Sequence, residues 1–123
     1  MIKMEDKLIE ILKSFGFPVK LQGSLGEKEA YPEHFFTFWN NSSESDSFYD
    51  NDEHAVIYNY DVNFYSITPE MTYSVLREAR KKLKQAGFIV SGDGHSVYSD
   101  EQSHDGRGIS VTYKDYKLKW RNA

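Results

Sequence analysis

Apolar and polar positions alternate with a period of two along residues 54–66, the longest regular stretch of the chain. The apolar side chains of one parity are those of Val56, Tyr58, Tyr60, Val62 and Phe64. This alternation predicts a β-strand with one buried face and one mostly solvated face. Because thirteen residues is long for a strand, we expect it to project beyond its sheet.

Two other segments have the period of a helix. In the first, residues 4–15, an apolar stripe is followed by Gly16, a left-handed stop. The second starts at Thr68-Pro69-Glu70, where a hydroxyl cap, a proline in the first turn and an acidic side chain favour a helix start. It runs to about Ala86, and its predicted buried stripe is Met71, Val75, Leu76, Ala79, Leu83 and Ala86.

Five shorter apolar runs complete the predicted sheet, at residues 17–22, 35–39, 88–90, 95–99 and 109–113. Pro18 favours an edge position for the first run, and the Gly-Asp-Gly at 92–94 predicts a hairpin turn. The predicted order is α-β-β-β-α-β-β-β. It indicates an α+β fold, with a single antiparallel or mixed sheet and two helices packed on it.

The composition is typical of a single soluble domain spanning residues 1–123. Apolar residues make up 39% and charged residues 28%, and no cysteine is present. The lack of cysteine excludes a disulfide framework, a thiolate zinc site and a cysteine nucleophile. Residues 1–15 have no signal-peptide core, and no apolar run approaches membrane-spanning length. The net charge of −4 argues against a dedicated nucleic-acid binder.

Charge is spread unevenly along the chain. Residues 40–53 hold five acidic residues and no basic one, so we expect a mobile acidic loop. Residues 114–123 form a basic and aromatic C-terminal tail. The apolar parity changes within it, which predicts a bulge, a bend or an independent segment.

Opposite charges at separate places on one small domain favour head-to-tail association of copies, although two solvated surfaces without a partner are an equally good interpretation of charge alone. The aromatic side chains among the cations favour the interpretation that these surfaces bind a partner. The candidate interface residues are Arg107, Lys114, Tyr116, Lys117, Leu118, Lys119, Trp120, Arg121, Glu44, Asp46, Asp50 and Asp52.

The Gly-Arg-Gly at residues 106–108 has two interpretations. The glycines give backbone freedom where a strand begins, and Arg107 could hold the carboxylate of a partner. The alternative, slightly favoured, is an internal ion pair together with a bulge.

Polar residues are densest in the predicted turns between residues 93 and 105, namely Asp93, His95, Asp100, Glu101, His104 and Asp105. They could bind a metal or act as an acid–base pair, as in a small metal-dependent hydrolase. Solvated turns are the better interpretation, because no metal-ligand spacing, nucleophile motif or phosphate loop is present. We therefore predict no catalytic residues, no cofactor and no metal.

Several short motifs occur together in a fixed order. They are Phe35-Phe36-Thr37-Phe38-Trp39-Asn40, Asp61-Val62-Asn63-Phe64-Tyr65-Ser66, Leu83-Lys84-Gln85-Ala86-Gly87-Phe88, Ser99-Asp100-Glu101 and Gly106-Arg107-Gly108. Over roughly residues 15–115 the chain resembles small tail completion, tail terminator or minor structural proteins of long-tailed bacteriophages and Gram-positive prophages.

The resemblance implies a non-enzymatic structural protein. Tail terminators form a ring, often of six copies, that stops polymerisation of the tail tube and offers a surface to the head connector. The implied partners are copies of the chain, the tail-tube protein and the head–tail connector protein, with no membrane and no specific nucleic acid. The isolated chain can be a monomer where the tube end templates the ring. The implied location is the virion, after assembly in the host bacterial cytoplasm.

A head-completion or connector protein is the alternative within this class, and a regulatory binding module of a bacterial host is a further one.

Overall fold

Two helices pack on one face of a mixed β-sheet. The structure is a computed structural model that describes residues 3–21, 31–45, 55–99 and 101–116, with side chains described except at 3, 4, 42–45, 55, 93, 115 and 116. The described elements are α1 (Lys3–Lys13), β1 (Val19–Leu21), β2 (His34–Ser45), β3 (Ala55–Ser66), α2 (Pro69–Gln85), β4 (Ile89–Val97) and β5 (Asp105–Tyr116). The predicted α+β class is confirmed.

The five described strands lie in the order β1-β2-β3-β5-β4. β1 is parallel to β2, and every other neighbouring pair is antiparallel. The mixed sheet is confirmed, as is the edge position of the first short strand. Neither described helix combines the length and apolar character that a bilayer crossing requires.

The core lies between the two helices and one side of the sheet, here called the helix face. The strands contribute Phe36, Phe38, Tyr60, Val62, Phe64, Val90, Ile109 and Val111, and the helices contribute Leu8, Leu12, Leu76, Ala79 and Leu83. The predicted face of residues 54–66 and the predicted stripe of α2 therefore meet, because alternate strand residues and every third or fourth helix residue point to one side.

The long strand β3 lies within the sheet and does not project from it. It pairs with β2 on one side and with β5 on the other, and the pairing with β5 runs unbroken from Ala55 to Ser66. The expected projection is therefore wrong. Both neighbours are themselves twelve residues long, so they satisfy its backbone groups to both ends.

The predicted hairpin at residues 88–99 is one strand. β4 pairs with β5 before and after the glycine pair, with Ser91 opposite Ser110 and His95 opposite Gly108. Three residues of β4 thus oppose one of β5. Gly92 and Gly94 have φ angles of 67° and 106°, so they absorb the extra residues in a bulge and do not reverse the chain.

Two predicted irregular segments contain strand residues. The expected acidic loop at 40–53 is wrong for residues 40–45, because β2 continues to Ser45 and pairs with β3 past a register shift between Asn40 and Ser42. The expected tail at 114–123 is likewise wrong for residues 114–116, which continue β5 with no register shift. Residues 46–53 and 117–123 lie outside the described residues.

α2 begins at the predicted proline, but the predicted hydroxyl cap is not formed. Thr68 has extended backbone angles, but its side chain makes no capping hydrogen bond. The N–H of Thr68 instead donates to Oγ of the fully buried Ser66 at 2.9 Å. The helix ends at Gln85 and Gly87 follows with a φ of 99°, which confirms the predicted stop.

Candidate protein-binding site

An arginine from the sheet lies on a tyrosine from the helix. Arg107 of β5 is opposite Phe64 and so points to the helix face. Its Cζ atom is 4.3 Å from the centre of the Tyr73 ring on α2. A guanidinium held over an aromatic ring keeps its charge while its orientation is fixed.

This contact forms one wall of a cleft of about 340 Å³, here called the arginine cleft, which is lined by Tyr73, Leu76, Arg77, Arg80 and Arg107. Arg77 is exposed, whereas Arg80 and Arg107 are half-buried. No acidic side chain is among the described residues that line it. The cleft therefore concentrates positive charge between α2 and the sheet.

The bulge in β4 makes room for the arginine. A side chain at Gly94 would meet Nη2 of Arg107 and Cδ2 of Leu76, each at 3.4 Å from its Cβ, and the carbonyl oxygen of Gly108 at 3.3 Å. Because Gly94 also has a positive φ, only glycine fits this position without strain. The bulge that sequence analysis interpreted as a turn thus allows Arg107 to lie across β4.

A second hollow of about 280 Å³ lies on the other side of the Tyr73–Arg107 contact. It is lined by Pro69, Thr72, Tyr73, Ser96, Val97, Asp105, Gly106 and Arg107. Together the two hollows form a groove along α2 that is basic in one half and mixed in the other. An extended segment with carboxylates at one end matches this arrangement, because each arginine can donate two hydrogen bonds to a carboxylate.

The glycines on either side of Arg107 serve the opposite side of the sheet, here called the outer face. A side chain at Gly106 would overlap the Tyr65 ring at 2.7 Å and Val97 at 2.8 Å. One at Gly108 would overlap the Asn63 side chain. No bulge occurs here between β3 and β5, so the predicted bulge at 106–108 is wrong, and among the described residues Arg107 contacts an aromatic ring and forms no ion pair.

One end of the outer face is covered by aromatic side chains. Phe35 stacks on Tyr65 with ring centres 5.2 Å apart, and Tyr31 and His104 pack edge-on against Phe35. Phe35 and Asn63 are buried. The expectation of a mostly solvated face is therefore wrong at this end, because residues 31–33 and 101–104 fold over it.

The remaining part of the outer face carries no covering segment among the described residues. We call it the open sheet surface, and it comprises Trp39, Asn59, Asp61, Ile89, Ser91, Ser110 and Thr112. Trp39 and Ile89 are 48% and 58% exposed at its two sides, and Thr112 Oγ1 donates to Asn59 Oδ1 at 2.8 Å between them. A polar centre flanked by an aromatic and an aliphatic side chain is a composition that protein interfaces use.

The polar residues predicted between 93 and 105 do not form a described metal site. Nε2 of His104 donates to the carbonyl oxygen of Pro32 at 2.7 Å, and Nδ1 lies 3.0 Å from Ser103 Oγ, so both ring nitrogens are engaged. His95 is exposed on β4. Within the described ranges no three His, Asp or Glu side chains come together as ligands. Asp100 and the Asp93 side chain lie outside the description.

The candidate interface residues separate into three groups. Arg107 lines the groove, and Lys114 is half-buried on the outer face opposite Ile57. Glu44 and Tyr116 lie in β2 and β5, but their side chains are not described. The rest lie outside the described residues: Asp46, Asp50, Asp52, Lys117, Leu118, Lys119, Trp120 and Arg121.

The helix half of the arginine cleft was not predicted from the sequence. Tyr73, Arg77 and Arg80 are spaced at i, i+4 and i+7, which places them on one side of a helix. The basic residues near the end of α2 had a sufficient explanation in the helix dipole. The spacing of Tyr73 with two of the arginines was the signal that could have found the cleft.

No protein-family model matches the chain, and a search of curated proteins finds no similar sequence.

Proposed function

We propose that this chain is a non-enzymatic structural protein of a long-tailed phage or prophage, a tail terminator or tail completion protein. It forms a ring of copies on the end of the tail tube and joins the tube to the head connector. The resemblance of residues 15–115 supports this function, and the binding surfaces are consistent with it.

Two unlike surfaces lie on opposite faces of one sheet, and this placement is the main structural support for the proposed function. The arginine cleft lies on the helix face and is polar and cationic. The open sheet surface lies on the outer face and presents Trp39 and Ile89. A ring subunit must contact neighbours and a further partner at once, which requires separate surfaces on one small domain.

The chemistry of the two surfaces assigns them different tasks. Arginine–carboxylate contacts fix the register and orientation of a partner. Exposed tryptophan on a sheet surface supplies apolar area that a partner surface must cover. The proposal therefore gives the cleft to contacts between copies and the open sheet surface to the tube or connector.

The position in the particle is tested by labelling. Particles of the phage or prophage that encodes the chain would be purified and labelled with gold-coupled antibody against it. We expect the gold label at the head-proximal end of free tails and at the head–tail junction of whole particles. Gold on tail-free heads alone would favour a head-completion protein, and absence of the chain from purified particles would reject a virion role.

A further inference from the structure

The arginine cleft has the chemistry of a carboxylate-binding site. Arg77 and Arg80 belong to α2 and Arg107 to β5, so three arginines from two elements line one cavity. A planar guanidinium matches a carboxylate with two parallel hydrogen bonds. Tyr73 adds an aromatic surface that is 54% exposed, on which an aromatic or apolar side chain of a ligand can pack.

The chain itself carries a segment with the complementary composition. Residues 46–53 read Asp-Ser-Phe-Tyr-Asp-Asn-Asp-Glu, with four carboxylates, two adjacent aromatic rings and no basic residue. We propose that the arginine cleft of one copy binds residues 46–53 of a second copy. The inference rests on the function proposed above, since it names the contact between neighbours in the ring.

The positions of cleft and segment favour contact between copies over contact within one. The segment connects β2 to β3 at the end of the sheet where Ala55 pairs with Tyr116. Arg107 pairs with Phe64, nine residues further along β3, or roughly 30 Å at ~3.3 Å per residue. A connection of this length tied at both ends extends at most ~17 Å, which falls short of Arg107 in its own copy, whereas a second copy can present it without that limit.

Such a contact is heterologous, since the surface at one end of the sheet meets a different surface near the other end. Repeated head-to-tail contacts of this kind generate a closed ring when the rotation between copies closes, and an open filament when it does not. The C-terminal segment 117–121 is an alternative binding site for residues 46–53, because it also carries cations. The test therefore separates the two.

The experiment titrates a labelled synthetic peptide of residues 46–53 against the full-length chain and follows fluorescence anisotropy at low salt. The matched control peptide carries Asn or Gln at its four acidic positions. We expect the acidic peptide to bind at least tenfold more tightly than the control peptide. Equal affinity of the two peptides would overturn the proposal, because the carboxylates would then play no part.

Two sets of variants locate the acceptor. The single variant Arg77→Gln and the double variant Arg77→Gln/Arg107→Gln should each weaken peptide binding by tenfold or more. Because Arg77 is exposed, the single variant should keep the melting temperature of the unchanged chain. Lys119→Gln/Arg121→Gln should leave affinity within about twofold, and loss of binding in this variant alone would overturn the proposal. Displacement of the peptide by inorganic phosphate at equal concentration would also overturn it, by making the cleft a phosphate site.

The outcome is independent of the particle experiment. A chain found at the tail end whose cleft does not bind the peptide keeps the proposed function and loses this contact. A chain that binds the peptide through Arg77 but is absent from particles keeps the contact and loses the virion role.

Discussion

Tyr60 shows how a single residue of the core depends on its surroundings. Its ring is 1% exposed within the helix face of the sheet, and its hydroxyl donates to Oε1 of Glu5 on α1 at 3.1 Å. Burial raises the pKa of Tyr60 well above its ordinary value, and the negative charge of Glu5 raises it further. The hydroxyl therefore stays protonated in the folded chain under alkaline conditions in which a free tyrosine ionises.

This difference predicts a loss of stability in alkali. Below pH ~10 Tyr60 is protonated in both states, and above it the unfolded chain releases a proton that the folded chain retains. The free energy of unfolding should thus fall as the pH rises above ~10, and it should fall less steeply in Tyr60→Phe. Urea titrations at several alkaline pH values measure both slopes. Tyr98→Phe, at a fully exposed position, is the control, and identical slopes for Tyr60→Phe and the unchanged chain would contradict the account.

Leu76 reports on the packing of α2 against the sheet. It is 1% exposed and belongs to the core cluster, so Leu76→Ala should lower the free energy of unfolding by about 2–5 kcal/mol. Chemical denaturation gives the value directly. Leu21→Ala, at a residue 49% exposed on the edge strand, should cost about 1 kcal/mol or less. A loss below about 0.5 kcal/mol for Leu76→Ala would mean that this face is not core.

At the scale of elements, the regular ones could be predicted and the irregular ones could not. The periodicity of 54–66 and of α2 locates their buried faces, because one side of each must leave water. The Gly-Asp-Gly of β4 has the composition of a turn, and only pairing of both flanks with β5 makes it a bulge. Residues 40–45 are too polar to signal a strand, but β3 offers partner residues to all of them except Asn41, which lies at the register shift.

The junction between β3 and α2 provides a test at this scale. Ser66 is fully buried, and its Oγ accepts from the N–H of Thr68 and lies 2.7 Å from Nδ1 of His34. Ser66→Ala leaves these groups without that oxygen and should cost about 1–3 kcal/mol. Thr68→Ala, at the sequence-predicted cap, should change stability by about 0.5 kcal/mol or less. The reverse order in urea unfolding would restore the threonine as the capping residue.

For the molecule as a whole, half of the candidate site follows from the sequence. Arg107 was identifiable because two glycines flank it. Glycine is required at those two positions because the side chains of Tyr65 and Asn63 occupy the space of a Cβ atom. Tyr73 and Arg77 enter the site only when α2 crosses β5, a contact between residues about thirty positions apart. No pattern in a single chain specifies how such elements cross.

The C-terminal segment yields a prediction about assembly. Trp120 lies outside the described residues, among the basic and apolar positions that sequence analysis assigned to an interface. Trp120→Ala should leave the melting temperature unchanged and impair incorporation into tails, since a tryptophan at the centre of an interface commonly contributes about 2 kcal/mol or more. Trp120→Phe, which keeps an aromatic ring, is the control. Equal incorporation of all three proteins at equal stability would remove this segment from the interface.

A chain that ends the tail tube would set the length of the tail, so the distribution of tail lengths is the sharpest test of the proposed function. Tails from a phage lacking the gene would be measured in electron micrographs, with and without the full-length chain supplied in trans. We expect overlong tubes of variable length without the chain and a single tail length when it is restored. Tails of one normal length in its absence would contradict it.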